Sequence, residues 1–288
     1  MARDFKPRGI GVVLDDAIAL YRANWRALLT LTLLVLAPVS IAYSITSTFY
    51  VRAFAEFFGA LITSASNGAA TPQPDPAIPV IAIVASAVGL LWWLVRVYFT
   101  ATLYGNAGPL LEGRALTVRE MLKAGLPAFV PLLVIELIVG LVAGIAGAFT
   151  LYIGSAVATV LLAMAGPVVV IEGGIGSAFA RSYSLVKKHF WRVALLVFGA
   201  YLLSTQFEAA LASPVVVREI IFGAQNMSVL TSRIAWGWKV FDGTLQGVAM
   251  ALVLPFLQLT FLLCYLDLRA RGEGMDLVIR ARALRDAG

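Results

Sequence analysis

The chain has one cysteine and one histidine in 288 residues. A lone Cys264 excludes an internal disulfide. Its setting in an apolar run reads as a small packing residue. With only His189 beside it, a zinc site built from Cys and His cannot be assembled, so no metal or other cofactor is expected. Charge is also scarce, at 13% Asp, Glu, Lys and Arg, about half of what a soluble domain carries. No basic run interleaved with aromatics occurs, so nucleic acid is not an expected partner despite the net charge of +6.

Apolar residues dominate instead. They make up 60% of the chain, and the mean hydropathy is +0.90. That composition belongs to a protein whose solvent is the bilayer. The fold class expected is all-α, a polytopic bundle of about six transmembrane helices. A span needs about 20 residues, and six segments qualify, at 27–49, 79–104, 127–147, 150–171, 191–212 and 243–267. The first run starts too far into the chain and is too long for a signal peptide, so it reads as an uncleaved span. Segment 51–65, with Arg52 and Glu56, either extends the first span or lies in the interface. Residues 66–79 read as a Pro-rich polar linker. A tight turn joins the third and fourth spans.

Basic residues set the orientation. The N-terminus, the loops after the second and fourth spans and the C-terminus hold seventeen Lys and Arg, and the opposite segments hold four. By the positive-inside rule both termini are cytoplasmic, and the expected location is a bacterial plasma (inner) membrane. Trp25, Trp191, Trp236 and Trp238 then fall where interfacial anchors belong.

The cytoplasmic segments carry helical periodicity. Residues 12–29 place Leu14, Ile18, Tyr21, Trp25 and Leu28 on one face, and 177–193 place Phe179, Tyr183, Val186, Phe190 and Val193 likewise. Each amphipathic elbow is expected to run straight into a span at a Trp-Arg pair. A shorter version starts at Thr117, where Thr117 and Glu120 form a capping box and Pro127 opens the span. The even spans end alike, in Ala107-Gly108-Pro109 through Glu112 and Ala165-Gly166-Pro167 through Glu172, and the sixth ends at Asp267. The chain therefore reads as one membrane domain, 1–288, of three two-span repeats (10–113, 114–173, 174–272), followed by a basic C-terminal helix over 273–288.

The stretch from Gly166 to Glu172 running into Ser177–Arg192, the ending Tyr265 to Leu277 and the opening Gly9 to Trp25 carry a resemblance. They look like the multi-pass family called the glycerophosphoryl diester phosphodiesterase membrane domain, together with related YciC-like bacterial proteins. The resemblance covers nearly the whole chain. It implies a membrane domain that some members fuse to a catalytic domain, and it supplies no catalytic residue. A phosphodiesterase barrel needs roughly 200 or more residues, and no soluble segment approaches that, so no enzymatic activity and no catalytic residue are expected.

Two ionisable residues fall inside spans, Glu136 in the third and Arg96 in the second. A charge at mid-bilayer costs about 2.5–3.5 kcal/mol, so each needs a partner, water or a changed protonation state. They read either as a proton, ion or headgroup site or as a buried pair with a snorkelling Arg. Glu112, Glu172 and Asp267 form a second set at the exits of the even spans, with Arg119, Arg181 and Arg22 as their partners. They read as salt bridges pinning elbows to spans, or as an acidic ring at an opening. Gly140, Gly144 and Gly147 have the spacing for close helix contact within the bundle. The function expected is a non-catalytic scaffold or helper subunit, or a lipid-interacting domain. Its partners are the bilayer with its anionic lipids and a membrane protein. The alternative is a transporter or channel for a lipid or small solute using Glu136 and Arg96.

Overall fold

The structure is a computed structural model that describes residues 9–68, 70–114, 116–211, 214 and 236–273. Every regular element among them is helical. In chain order these are α1 (Ile10–Ala23), α2 (Trp25–Leu31), a π-helical stretch (Thr32–Leu36), α3 (Ala37–Asn67), α4 (Ala77–Gly105), α5 (Ala107–Glu112), α6 (Val118–Phe149), α7 (Ile153–Leu162), α8 (Ala165–Ile171), α9 (Ile175–Lys187), α10 (Phe190–Leu211) and α11 (Trp236–Glu273). Six runs are long and apolar enough to cross a membrane: Trp25–Asn67, Ala77–Gly105, Val118–Phe149, Ile153–Ile171, Phe190–Leu211 and Trp236–Gly272.

The helices outrun the expected spans. Segment 51–65 continues the first helix, which reaches Asn67 and is capped by the N–H of left-handed Gly68 bonding to the Ser64 carbonyl. The linker shortens accordingly, and the Asp75 carboxylate accepts from the Ala77 N–H at 2.8 Å where α4 begins. Pro127 does not open α6 but lies inside it with Pro131. The capping box at Thr117 and Glu120 starts the helix well before them. Apolar periodicity around the prolines outweighs two lost backbone bonds, as it commonly does in membrane helices. The C-terminal segment 274–288, which holds nearly all of the expected basic helix, lies outside the described residues.

The chain divides into two compact units, whose described residues lie within 9–31, 97–204 and 254–273 in the first and within 32–96 and 205–253 in the second. In the first, α6 and α7 make a tight antiparallel pair, α8 packs on α6 and α9, and α9 packs on α7. The connection is only Thr150 to Tyr152, so Leu151 and Tyr152 take the left-handed conformation at φ 48° and 69°, which L-residues resist. Thr150 holds the turn, its Oγ donating to the Ala146 carbonyl and accepting from the Gly154 N–H, both at 2.6 Å.

The second and fourth spans break at the same local pattern. Pro109 and Pro167 lack an N–H for the carbonyl four residues back. Each sits at the third position of a new short helix, α5 or α8. Side chains take up carbonyls near the breaks. Asn106 donates to the Thr102 and Met121 carbonyls at 2.7 and 3.1 Å, and Ser182 on α9 donates to the Leu161 carbonyl at 2.8 Å.

The buried elbow faces match the expected ones in part: Leu28, Val186 and Val193 are buried, and Leu14, Tyr21, Phe179 and Phe190 are half-buried. On α1 the buried residues are Val13, Ala17 and Leu20, while Ile18 and Trp25 are exposed. On α9 they are Ala178, Ser182, Leu185 and Val186, and Tyr183 is exposed. Small residues permit the close approach of helices, and the bulky Ile18 and Tyr183 beside them are left on the outside. Neither elbow runs unbroken into its span, because Asn24 and Lys188–His189 interrupt the helices.

In the second unit α3 and α11 cross in backbone contact. A Cβ on Gly243 would lie 2.6 Å from the Ile45 Cα, and one on Gly247 would lie 2.5 Å from the Ile41 Cα. Tyr43 stacks on Trp92 at 4.9 Å, and the Trp92 indole donates to the Ser40 hydroxyl at 3.1 Å. Two ion pairs follow, Arg52–Asp242 at 3.4 Å and Lys239–Glu56 at 3.9 Å. The expected glycine contact on α6 is different. Gly140 and Gly144 have nothing within 4 Å, and only Gly147 meets a neighbour, with Ser155 3.0 Å from its would-be Cβ. Spacing defines a glycine face but not what stands opposite it.

Candidate functional site

The densest polar cluster in the first unit lies at the end of α11. Tyr265 and Arg269 are one turn apart, and so are Asp267 and Arg271, so two adjacent stripes of the helix are charged. One stripe meets Glu172, just past α8. The Tyr265 hydroxyl donates to Glu172 Oε1 at 2.7 Å. Arg181 on α9 donates through Nε to Oε2 at 3.1 Å, and Arg269 Nε lies 3.6 Å from Oε1. Arg269 also donates to the Tyr265 hydroxyl at 3.1 Å. The other stripe meets α10. Arg192 Nη2 and Arg271 Nε both reach Asp267 Oδ2 at 2.9 Å. The Asp267 side chain is only 3% exposed. Together these contacts tie α8, α9, α10 and α11 at one end.

Burial by itself would push the Glu172 carboxyl up. The hydrogen bonds from Tyr265 and Arg181 and the charges of Arg181 and Arg269 outweigh it and hold the group below the usual carboxylate range. A lowered folded pKa contributes stability that is whole above the unfolded value, about 4.3, and is lost as pH falls through the folded one. The unfolding temperature of the detergent-solubilised protein should therefore lose a Glu172 contribution on acidification below about pH 4. Glu172→Gln should show a shallower acid limb than the parent. Identical acid limbs would assign the pH dependence elsewhere.

The structure brings together one of the three expected acid–base pairs, Glu172 with Arg181. Asp267 is held by Arg192 and Arg271 rather than by Arg22, because those two side chains reach it from α10 and from its own next turn. Glu112, Arg119 and Arg22 are exposed, and among the described residues they make no ion pair. Glu136 is half-buried on α6 in the first unit. Arg96 is half-buried in the second unit, its guanidinium 5.9 Å from the Trp92 ring centre. Trp25, Trp191, Trp236 and Trp238 are all exposed. Arg26 lies over Trp25 at 5.5 Å, and Trp238 meets Phe241 edge-on.

Sequence reasoning passed over Tyr265, Arg269, Arg271, Arg192 and Asp242 as site residues. The four-residue spacings 265/269 and 267/271 were the available signal. Nothing local marks Arg192 or Asp242, whose partners are 75 and 190 residues away. Among the described residues no group of His, Cys, Asp and Glu could hold a metal ion. Compared with protein-family models, with curated proteins and with solved structures, the chain has no match.

Proposed function

We propose that this chain is a non-catalytic multi-pass membrane protein, a scaffold or helper subunit that meets lipid through basic, tryptophan-bearing helix ends. Both termini are cytoplasmic in this reading, on the seventeen-to-four bias of Lys and Arg. The three-repeat organisation draws support from the like breaks before Pro109 and Pro167. The resemblance to the glycerophosphoryl diester phosphodiesterase membrane domain fits the same reading, with no catalytic role implied for this chain.

The observation that carries the proposal is the clasp at the end of α11. Glu172 and Asp267, the acids that a gating ring would present to a passing solute, are each engaged by two arginines. Their chemistry goes into holding helices together. The carrier reading is favoured by one feature, the half-burial of Glu136 and Arg96 in apolar helices.

The two readings separate in native mass spectrometry of the protein extracted gently from its own membrane. A subunit should carry a stoichiometric protein partner and keep it after Glu136→Gln. A chain that comes out without a protein partner would overturn the subunit reading. So would a chain that loses proton-coupled uptake on that substitution.

A further inference from the structure

A groove of about 620 Å³ opens in the first unit between the start of α2 and the segment joining α5 to α6. We infer that it binds the headgroup and glycerol of an anionic phospholipid from the surrounding leaflet, with the phosphate on Arg26. This rests on the membrane-protein reading above and names the ligand of one helix end.

The depth of the groove argues for lipid. Its walls are the first residues of two apolar runs, Trp25–Asn67 and Val118–Phe149, so it lies where hydrocarbon gives way to headgroups. The lining has two chemistries. Arg26 and Asn24 supply polar atoms, and Leu110, Leu116 and Val118 supply an apolar floor. That is the pattern of a phosphate joined to an acylated glycerol. The volume falls within the range of about 300–1,000 Å³ usual for small-molecule sites. It holds the polar end of a lipid and leaves the acyl chains to run along the helices.

Charge complementarity fixes the sign. Arg26 is exposed and among the described residues makes no ion pair, its guanidinium resting over the Trp25 ring. No acidic side chain lines the groove. Glu120, the acid on the adjoining turn of α6, is committed to the Thr117 N–H and hydroxyl at 2.9 and 2.8 Å. Glu112, at the end of α5, is exposed and is followed two residues on by the exposed Arg114. A guanidinium can take a phosphate through two parallel hydrogen bonds, and Trp25 is the ring type enriched at this depth.

The test uses the full chain in nanodiscs of phosphatidylcholine with a minority of phosphatidylglycerol, released into native mass spectrometry. The wild-type chain should retain phosphatidylglycerol over phosphatidylcholine by about tenfold, as one charge-assisted contact allows. Arg26→Gln should bring that preference close to one, and Arg26→Lys should keep most of it. Leu116→Trp, at a half-buried lining position, should also lose the retained lipid by filling the groove with Arg26 intact. Unfolding temperatures matching the wild type would show that the variants fold. No preference in the wild type, or a preference indifferent to both Arg26→Gln and Leu116→Trp, would overturn the site. Either result would leave the partner-retention test of the subunit reading standing.

Discussion

Gly247→Leu is expected to destabilise the protein by about 3 kcal/mol, the upper end for overpacking a formed contact. The reason is the kind of atom it would strike. A Cβ at Gly247 meets the Ile41 Cα and N and the Ser40 carbonyl oxygen, and backbone cannot rotate away as a side chain can. Gly243→Leu should behave alike, since its Cβ would meet the Ile45 backbone. Gly140→Leu and Gly144→Leu supply the contrast. Nothing lies within 4 Å of either position, so each should stay within about 0.5 kcal/mol of the parent. Reversible unfolding in mixed micelles would measure all four. If the leucine variants do not accumulate, Gly247→Ala tests the same contact with one carbon. Equal stability of Gly247→Ala and the parent would refute a backbone-to-backbone crossing of α3 and α11.

Asp267→Asn should cost about 3–5 kcal/mol, the range for removing one partner of a buried ion pair. The substitution preserves shape and removes the charge that Arg192 and Arg271 share at 2.9 Å. Two guanidiniums would then face each other across a neutral amide. The penalty is one of stranded charge, so adding Arg192→Gln to Asp267→Asn should recover part of the loss instead of deepening it. The same unfolding assay reads both variants. A single-variant loss below about 1 kcal/mol would place the pair with solvent-screened surface bridges.

Much of the architecture was legible because lipid imposes a strong rule. Backbone polar groups must be satisfied within the segment, so long apolar runs had to be helices. The six runs follow from that, and the capping box at Thr117 is legible for a local reason, since two side chains and two backbone groups three residues apart specify their own geometry. The elbow faces were legible only in part: Leu28, Val186 and Val193 of the expected faces are buried, while Ile18 and Tyr183 are exposed. Side-chain bulk alone does not mark an inner face, since the small Ala17, Ala178 and Ser182 are buried beside Leu20 and Leu185 while Ile18 and Tyr183 look outward. Long-range partners were the least legible part. Arg181 and Glu172 are nine residues apart and could be paired on paper. Arg192 and Asp242 became site residues only when distant helices were brought beside them. The glycines repeat the lesson, because the crossing uses Gly243 and Gly247 while Gly140 and Gly144, with the same spacing on α6, meet no described residue.

The three-residue connection between α6 and α7 has a mechanical consequence. With Thr150 bonded to both helices, the two cannot slide past each other along their axes. Their joined ends share one depth, and any tilt of one rod is inherited by the other. The turn itself bears Phe149, Leu151, Tyr152 and Ile153, all more than 70% exposed. Such a tip gains nothing by projecting into water. In a bilayer these four apolar side chains favour the boundary layer over water.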